Sequence, residues 1–293
     1  MTPRHRFPIY GTLGIILLFV MQISLFASGM NIAPQFPWEE ITGWATPVCW
    51  WSYICIIDAW LYRRKGASLL TTGRRLLTLQ CILSVVFWCL FEAYNRLLPG
   101  WRYINLDPNL NIRFLGYALA FATIMPGMFL TTELLQTYNI LAHVRLKPIR
   151  CTATGLDLSI LTGLLCCTAP VFMPEPTRGY LWAFIWVGWI LLLEPFNYRR
   201  GLPSLYRDWA TGNWSRTAQL MLAGAICGLL WEFWNYWAFT KWEYTFLPAG
   251  SLAAKYFEMP WVGFLGFLPF ALEYFVMFHF LSSFYTQEDK LGL

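Results

Sequence analysis

The chain has 293 residues, of which 57% are hydrophobic and only 13% are charged. Soluble globular domains contain about half apolar and a quarter charged residues, so this balance excludes a soluble globule, a disordered chain, a collagen and a disulfide scaffold. The net charge of +5 comes from short basic clusters between apolar stretches, which is typical of membrane topology signals and argues against nucleic-acid binding.

Apolar stretches long enough to span a bilayer follow one another along almost the whole chain. A spanning helix needs about 20 mainly apolar residues. We therefore predict an all-α, polytopic bundle of eight transmembrane helices. We expect the first helix to be retained rather than cleaved as a signal peptide, because no convincing small-residue cleavage site follows it. The predicted helices cover residues 10–29, 43–62, 79–97, 114–135, 156–173, 179–197, 217–239 and 260–284.

Positive charges are shared unequally between the loops on the two sides of these helices. Cytoplasmic loops carry an excess of Lys and Arg, so we expect both termini in the cytoplasm and the protein in a bacterial inner membrane. An even number of helices agrees with this orientation. Fifteen of the 21 basic residues fall on the expected cytoplasmic side: Arg4, Arg6, Arg63, Arg64, Lys65, Arg74, Arg75, Arg145, Lys147, Arg150, Arg199, Arg200, Arg207, Arg216 and Lys290.

Motifs for cofactors and metals are missing from the chain. The eight cysteines lie mostly in apolar segments and show no Cys-x-x-Cys spacing, so we read neither a disulfide framework nor a zinc site. Three histidines are too few for a multi-haem carrier. The sequence also lacks a P-loop and the signatures of dinucleotide-binding, zinc-protease and nucleophile-elbow enzymes. We therefore expect no cofactor and no metal.

An internal repeat relates the two halves of the chain. We predict a first membrane repeat of four helices over residues 1–150 and a second over 151–293, both running in the same direction about a pseudo-two-fold axis along the membrane normal, with the site between them. The equivalent positions are Asp58 and Glu194, each followed by an Arg pair; Phe91, Glu92 and Asn95 with Trp231, Glu232 and Asn235; Trp101 and Tyr103 with Trp242 and Tyr244; and Glu133 with Glu273.

Glu92 and Glu232 are the acids that the repeat singles out. Each lies about one turn inside the predicted non-cytoplasmic end of its helix, with Asn95 or Asn235 three residues later on the same face. An ionisable side chain within a spanning helix costs about 2.5–3.5 kcal/mol at the bilayer centre, so each is a functional candidate. Aromatic neighbours favour the protonated form of the carboxyl. The alternative is a polar clamp between helices that holds the halves together.

The remaining buried acids differ in depth. Glu273 lies near the middle of the last helix and needs a partner, for which Asn235, Tyr244 and Glu232 are the candidates. Asp58 and Glu194 end their helices beside arginines, so we expect local ion pairs there. We expect Glu133 to lie at a solvated helix end and His279 to be a packing residue rather than a ligand.

Parts of the second half resemble the small repeated domain of heterodimeric and fused lycopene cyclases. That domain carries Trp-Asp on one helix, an aromatic Trp-x-Phe-type loop, and Leu-Pro-x-Glu-Glu before the next helix. The first half echoes it through Phe91-Glu92, Trp101-Arg-Tyr103 and Met125-Pro126. The acidic pair of the family is absent, since Trp261, Val262 and Gly263 stand after Pro260. The matching segments are Leu230-Trp231-Glu232, Thr240-Lys-Trp242-Glu-Tyr244, Met259-Pro260, Leu268-Pro269 and Tyr274.

The resemblance implies non-redox cyclisation of an isoprenoid, in which a carboxylic acid protonates an alkene and aromatic faces stabilise the carbocation. Our first hypothesis is such an enzyme, or a binding protein for a lipophilic isoprenoid. The alternatives are a carrier or channel with a carboxyl relay and a non-catalytic membrane subunit. The expected catalytic acids are Glu232, Glu273 and Glu92; the expected substrate-binding residues are Asn95, Asn235, Trp101, Tyr103, Trp242, Tyr244 and Trp231.

Overall fold

A computed structural model describes residues 5–174, 177–245 and 254–285 of the chain. Helices dominate this part of the protein, and the few strands are two to four residues long. The helices are α1 Ile9–Gly29, α2 Trp38–Thr42, α3 Ala45–Lys65, α4 Arg74–Leu97, α5 Leu110–Phe121, α6 Ile124–Thr137, α7 Ala153–Thr168, α8 Trp182–Arg199, α9 Leu205–Ala210, α10 Ser215–Trp237 and α11 Phe267–Ser282. The strands are β1 Trp101–Ile104, β2 Lys241–Tyr244, β3 Lys255–Tyr256 and β4 Met259–Pro260.

The prediction of an all-α, multi-pass membrane protein is confirmed. Within the described residues, seven helical stretches are long and apolar enough to cross a membrane. They are Ile9–Gly29, Arg74–Leu97, Leu110–Thr137, Ala153–Phe172, Thr177–Arg199, Ser215–Trp237 and Trp261–Ser282. Several of these stretches combine an α-helix with a neighbouring 3-10 turn or with a second short helix.

The helix predicted over residues 43–62 is α3, which has the length of a spanning helix but is less apolar than the other seven. It contacts α1, α5, α6 and α10, so protein covers much of its surface. A helix in that position tolerates polar residues such as Ser52 and Asp58, both of which are buried. The chain therefore traverses the bundle along α3 as well, from the end at which β1 and β2 lie to the end at which Lys65 lies.

The two ends of the bundle differ in composition. Helices α3 and α8 end at one side with Arg63, Arg64 and Arg199, and we name this side the arginine end. Helices α4 and α10 run in the opposite direction and lead into β1 and β2 at the ribbon end. Which end faces the cytoplasm stays a prediction, and two of the residues used for it, Arg4 and Lys290, lie outside the described part of the chain.

Close helix contacts recur at equivalent positions of the two halves. A methyl group added at Gly14 of α1 would lie 2.9 Å from the Ser52 carbonyl oxygen in α3. One added at Gly163 of α7 would lie 2.8 Å from the carbonyl oxygen of Gly188 in α8, the equivalent of Ser52. Small residues of this kind let helix backbones approach each other in a membrane. The first two long helices of each half therefore pack in the same way.

A tryptophan lies over a glycine in each half. Trp50 of α3 covers Gly127 of α6, where an added methyl group would lie 3.0 Å from the indole ring. Trp186 of α8 covers Gly266, just before α11, where the distance would be 2.4 Å. The fourth long helix of each half thus packs against the second through the same pair of residue types.

Among the described residues, Asp58 and Glu194 form no ion pair with the neighbouring arginines, so the prediction of local ion pairs is wrong. Both are fully buried. The Asp58 carboxylate accepts hydrogen bonds from Ser68 Oγ (2.7 Å) and the Leu70 backbone N–H (3.1 Å). Glu194 Oε1 accepts from Ser204 Oγ and from the Tyr206 backbone N–H.

The chain reverses directly after each of these helices, which explains the missing ion pairs. Gly66 and Gly201 both adopt a left-handed backbone, with φ of 77° and 73°, a conformation that costs glycine little. Each turn brings a serine and a backbone N–H back onto the carboxylate. The arginines instead find other partners; Arg199, for example, pairs with Asp157 at 2.6 Å. Both carboxylates therefore fasten a reversing loop to the arginine end.

Replacing Gly163 by Ala should destabilise the protein. The new methyl group would lie 2.3 Å from the backbone nitrogen of Leu192, which cannot move without displacing α8. Overpacking of this kind costs about 1–3 kcal/mol, more than the roughly 1 kcal/mol of helix propensity gained. Thermal unfolding in detergent micelles, followed by circular dichroism, should show a lower midpoint.

Gly116→Ala is the matched control, because the added methyl group has no atom within 4 Å and only the propensity gain applies. Its midpoint should stay unchanged or rise. Equal midpoints for Gly163→Ala and Gly116→Ala would contradict the close packing of α7 on α8.

Candidate functional site between the two halves

The two halves meet at the ribbon end through an antiparallel pairing of β1 with β2, which we name the central ribbon. Trp101 pairs with Tyr244 and Tyr103 with Trp242. Since Trp101 is the repeat equivalent of Trp242, and Tyr103 that of Tyr244, the pairing is self-complementary, as at a two-fold axis. Its centre is the Arg102–Glu243 pair, whose Nη2 and Oε2 atoms lie 2.9 Å apart.

Side chains alternate between the two faces of the central ribbon. Arg102 and Glu243 point outwards and form an ion pair. The residues on either side of them therefore point into the bundle from both strands. These inward residues are Trp101, Tyr103, Trp242 and Tyr244, four of the residues that the sequence predicted to bind the substrate.

Asn95 and Asn235 fix the strands through backbone hydrogen bonds. The Asn95 side-chain oxygen accepts from the Trp101 N–H (3.1 Å), and its amide nitrogen donates to the Trp101 carbonyl (2.9 Å). Asn235 forms the same two bonds with Trp242, at 2.9 and 2.8 Å. Neither asparagine hydrogen-bonds its neighbouring glutamate in the structure. The two asparagines therefore fix the backbone of the ribbon and do not contact the acids. They affect the acids only by holding the aromatic residues that contact them.

The Glu92 carboxylate accepts hydrogen bonds from three donors, all in the first half of the chain. Its Oε1 atom accepts hydrogen bonds from the Trp88 indole N–H (3.0 Å), the Trp101 indole N–H (3.0 Å) and the Tyr103 hydroxyl (2.7 Å). Hydrogen bonds to the charged form of a carboxyl favour that form. The contacts within the first half therefore tie one acid to two inward residues of the ribbon.

Glu232 has fewer partners and is fully buried. The Tyr244 hydroxyl donates to its Oε1 atom at 2.6 Å, and the Trp242 indole N–H donates to the Tyr244 hydroxyl oxygen at 3.0 Å. Its Oε2 atom has no hydrogen-bond partner among the described residues. The second half thus repeats the Glu–Tyr contact of the first half with a less complete set of donors.

A cavity of about 480 Å³ lies beneath the central ribbon, between the two halves. Ligand pockets have volumes of about 300–1,000 Å³, so a small lipophilic molecule fits. All four inward residues of the ribbon line it, whereas Glu92 and Glu232 lie behind them and do not. The other aromatic residues of its wall are Trp44, Trp88, Phe91, Tyr117, Phe121, Trp186, Trp231, Phe239, Phe267 and Phe270.

Charged side chains also contribute to the wall of this cavity. Glu39 and Glu40 of α2 line it, together with Asp107, Arg113 and Lys241. The Arg113 guanidinium is fixed by two hydrogen bonds to the Asp107 carbonyl, at 2.9 and 2.8 Å. An amphiphilic ligand would therefore find aromatic rings and charged groups in the same cavity.

Tyr103 and Tyr244 remain neutral over the physiological pH range. Burial raises the pKa of both hydroxyls well above the usual tyrosine range, and the nearby Glu92 and Glu232 carboxylates raise the pKa further. A neutral phenol keeps its proton and can donate it. Each hydroxyl thus lies between a glutamate and the cavity as a proton-bearing group.

Glu273 lies apart from the two Glu–Tyr pairs. It is fully buried in α11, does not line the cavity, and neither carboxyl oxygen has a hydrogen-bond partner among the described residues. None of its candidate partners, Asn235, Tyr244 and Glu232, hydrogen-bonds it. The unpartnered Tyr274 hydroxyl lies near it, together with Tyr94. The structure therefore brings together two of the three predicted acids.

The remaining expectations concern Glu133, His279 and Trp231. Glu133 forms an ion pair with Lys65 at 2.8 Å at the arginine end. The His279 ring packs against Phe275 and Phe278, with ring centroids 4.4 and 5.3 Å apart. Trp231 lines the cavity and its ring centroid lies 4.7 Å from that of Trp50.

From the sequence, Trp88 was expected only as one of the aromatic neighbours of Glu92 and not as a site residue, whereas it both lines the cavity and donates to Glu92. The signal was present, because Trp88 precedes Glu92 by four residues and that spacing places two side chains on one helix face. The wall residues of α5, Tyr117 and Phe121, gave no such signal, because nothing in the sequence brings α5 next to the central ribbon.

Replacing Asn235 by Ala should loosen the central ribbon. The Trp242 N–H and carbonyl would lose their partner, and an unsatisfied buried polar group costs about 1–3 kcal/mol. Hydrogen exchange measured by mass spectrometry should be faster in peptides that contain residues 241–245. Asn111→Ala is the control, because Asn111 is exposed at the start of α5, and exchange at the ribbon should not change. Unaltered exchange in Asn235→Ala would contradict the role given to this side chain.

Comparison with known proteins assigns no family to the chain. No protein-family model matches it, no curated protein matches it, and no solved structure matches it. The similarity to lycopene cyclases therefore rests on the motifs given above and stays a prediction. The function has to be inferred from the geometry and chemistry of the cavity.

Proposed function

We propose that this membrane protein is an enzyme that isomerises a lipophilic isoprenoid by proton transfer, without redox chemistry, as lycopene cyclases do. The observation that supports this most directly is the pair of Glu–Tyr contacts at the wall of one aromatic cavity. Glu92 with Tyr103, and Glu232 with Tyr244, join a carboxyl to a hydroxyl that lines the cavity. Positioned groups of this type act as general acids and bases.

The cavity wall suits a hydrocarbon substrate. Aromatic side chains form most of it, and such surfaces take up apolar chains by burying them from water. Aromatic rings also attract cations through the negative faces of their π-systems. A carbocation formed from an alkene would therefore be stabilised by Trp88, Trp101 and Trp242, all of which line the cavity.

The proton would reach the substrate through the tyrosines. Because Glu92 and Glu232 do not line the cavity, neither carboxyl would contact the alkene. The Tyr244 hydroxyl can give its proton to the substrate while it accepts a proton from Glu232. The glutamates thus exchange protons with the tyrosines, and the tyrosines are the groups that touch the substrate.

Replacing Glu232 by Gln should abolish product formation. Gln keeps the shape of the side chain but cannot replace the proton that Tyr244 gives away, and general acid–base catalysis contributes about 10²–10⁴-fold. Membranes from cells that accumulate lycopene supply the probe, and cyclised products are separated by chromatography and identified by mass spectrometry. We expect at least a 100-fold loss of product.

Glu243→Gln is the matched control, because the same chemical change falls on the outward face of the same ribbon. It should leave product formation intact. Product formation by Glu232→Gln at the rate of the unchanged protein would end the proposed role of this acid. If neither the unchanged protein nor the control forms product from lycopene, the substrate is not this carotenoid.

A proton or cation carrier is the second candidate, and Glu273 is the observation that favours it. A fully buried carboxyl without a partner in the described structure is a common feature of relays in membrane transporters. On this reading, liposomes that contain the purified protein should take up protons under a potassium-driven membrane potential, and Glu273→Gln should abolish the uptake. A proton flux equal to that of empty liposomes contradicts the carrier reading.

A further inference from the structure

The two Glu–Tyr pairs differ at the position of the repeat that lies four residues before each glutamate. In the first half this position is Trp88, whose indole N–H donates to Glu92 at 3.0 Å and also approaches the Tyr103 hydroxyl at 3.3 Å. In the second half it is Gly228. Glu232 therefore lacks the donor that its equivalent has on its own helix.

An aromatic ring fills the space beside Gly228. A methyl group added there would lie 2.2 Å from the Phe267 ring, so the glycine is required for the ring to pack against α10. The ring brings no hydrogen-bond donor. Where the first half has the Trp88 indole N–H beside its glutamate, the second half has the apolar Phe267 ring. These apolar surroundings disfavour an ionised carboxyl at Glu232.

Charged and titratable groups lie near both acids. Glu258 lies near Glu232 and is paired with Lys241 at 2.5 Å. Near Glu92 the titratable neighbours are Tyr103, Tyr117 on α5 and Cys89 on its own helix, and Arg96 and Arg113 add positive charge around Tyr117. Positive side chains thus lie near both acids, and the difference between them is in the hydrogen-bond donors.

We propose that Glu232 is the proton donor and Glu92 the proton acceptor of one reaction, with Trp88 as the positioning residue that keeps Glu92 ionised. This assignment rests on the proposed function. It follows from the number of donors to each carboxyl: Glu92 accepts three hydrogen bonds, all at Oε1, whereas Glu232 accepts one, from Tyr244 at Oε1, and its Oε2 atom has no partner among the described residues.

With one donor and one acceptor, the substrate gains one proton and loses one proton, as an isomerisation requires. Tyr244 gives its hydroxyl proton to an alkene carbon and takes the proton of Glu232, so the alkene π pair forms a C–H bond and leaves a carbocation. A second double bond attacks that cation and forms the ring bond. The new cation loses a neighbouring C–H proton to Glu92 through Tyr103, and the C–H pair becomes the product double bond.

The site is reset by returning one proton from Glu92 to Glu232. Tyr103 and Tyr244 are diagonal neighbours on the inward face of the ribbon, and diagonal neighbours in a sheet lie about 7–8 Å apart, within reach of long aromatic side chains. The two hydroxyls influence each other electrostatically. On this proposal, a proton passes between the halves along the inward face of the ribbon, and no oxidant or reductant is needed.

Infrared spectroscopy of the purified protein without substrate tests this assignment. A protonated carboxyl absorbs through its C=O stretch at an infrared frequency at which a carboxylate has no band. At neutral pH, Glu232→Gln should remove the intensity of one protonated carboxyl, and Glu92→Gln should remove none. Glu232→Asp should shift that band rather than remove it, which covers the case in which Glu232→Gln does not fold.

Trp88→Phe tests the positioning role, because it removes the indole N–H but keeps an aromatic ring. We expect a new protonated-carboxyl band in Trp88→Phe that is absent from Trp88→Phe/Glu92→Gln. Trp60→Phe is the control; its indole donates to Tyr138 at the arginine end, and the spectrum should gain no such band.

Two results would overturn the inference. One is a band lost in Glu92→Gln and kept in Glu232→Gln, and the other is an equal loss in both variants. The infrared bands are recorded without substrate, so they test the protonation states even if no product forms from lycopene. Conversely, active protein with the wrong bands would refute the division of roles and leave the proposed function intact.

Discussion

The pairing of β1 with β2 is the contact on which the site depends. At the end of a membrane bundle, backbone N–H and carbonyl groups need partners, because unsatisfied ones are costly wherever water is excluded. The central ribbon supplies these partners across the two halves, and Asn95 and Asn235 satisfy the backbone of Trp101 and Trp242 on the other edges. The inward aromatic residues are then held in fixed positions over the cavity.

The same set of local contacts occurs in both halves of the repeat. Each half contains a glycine contact between its first two long helices, a tryptophan over a glycine, a carboxylate that fastens a reversing loop, and a glutamate behind a tyrosine. A self-complementary ribbon forms only if both halves present the same sequence pattern in opposite directions. The two-fold relation and the cavity are thus consequences of the same pairing.

The helices and the equivalent residues of the repeat could be predicted from the sequence, because both depend on local patterns. Hydrophobic length gave the spans, and spacing gave the alignment of Glu92 with Glu232. The pairing of Trp101 with Tyr244 could not be predicted, since it joins residues far apart in the chain and each strand is only four residues long. The prediction of ion pairs for Asp58 and Glu194 was wrong for another reason. A glycine with a left-handed backbone reverses the chain after each helix, and the closeness of acid and arginine in the sequence does not predict that turn.

An enzyme made of two identical halves would hold two identical acids. Proton-transfer isomerisation needs a proton donor and a proton acceptor, and two identical carboxyls would leave the choice between these roles open. On our proposal, the surroundings of the two acids settle the choice: Trp88 supplies a donor to Glu92, whereas Gly228 admits the Phe267 ring beside Glu232. The environments of paired carboxyls decide their acid and base roles. On this proposal, a difference in helix sequence beside each acid gives a duplicated structural contact two complementary chemical roles.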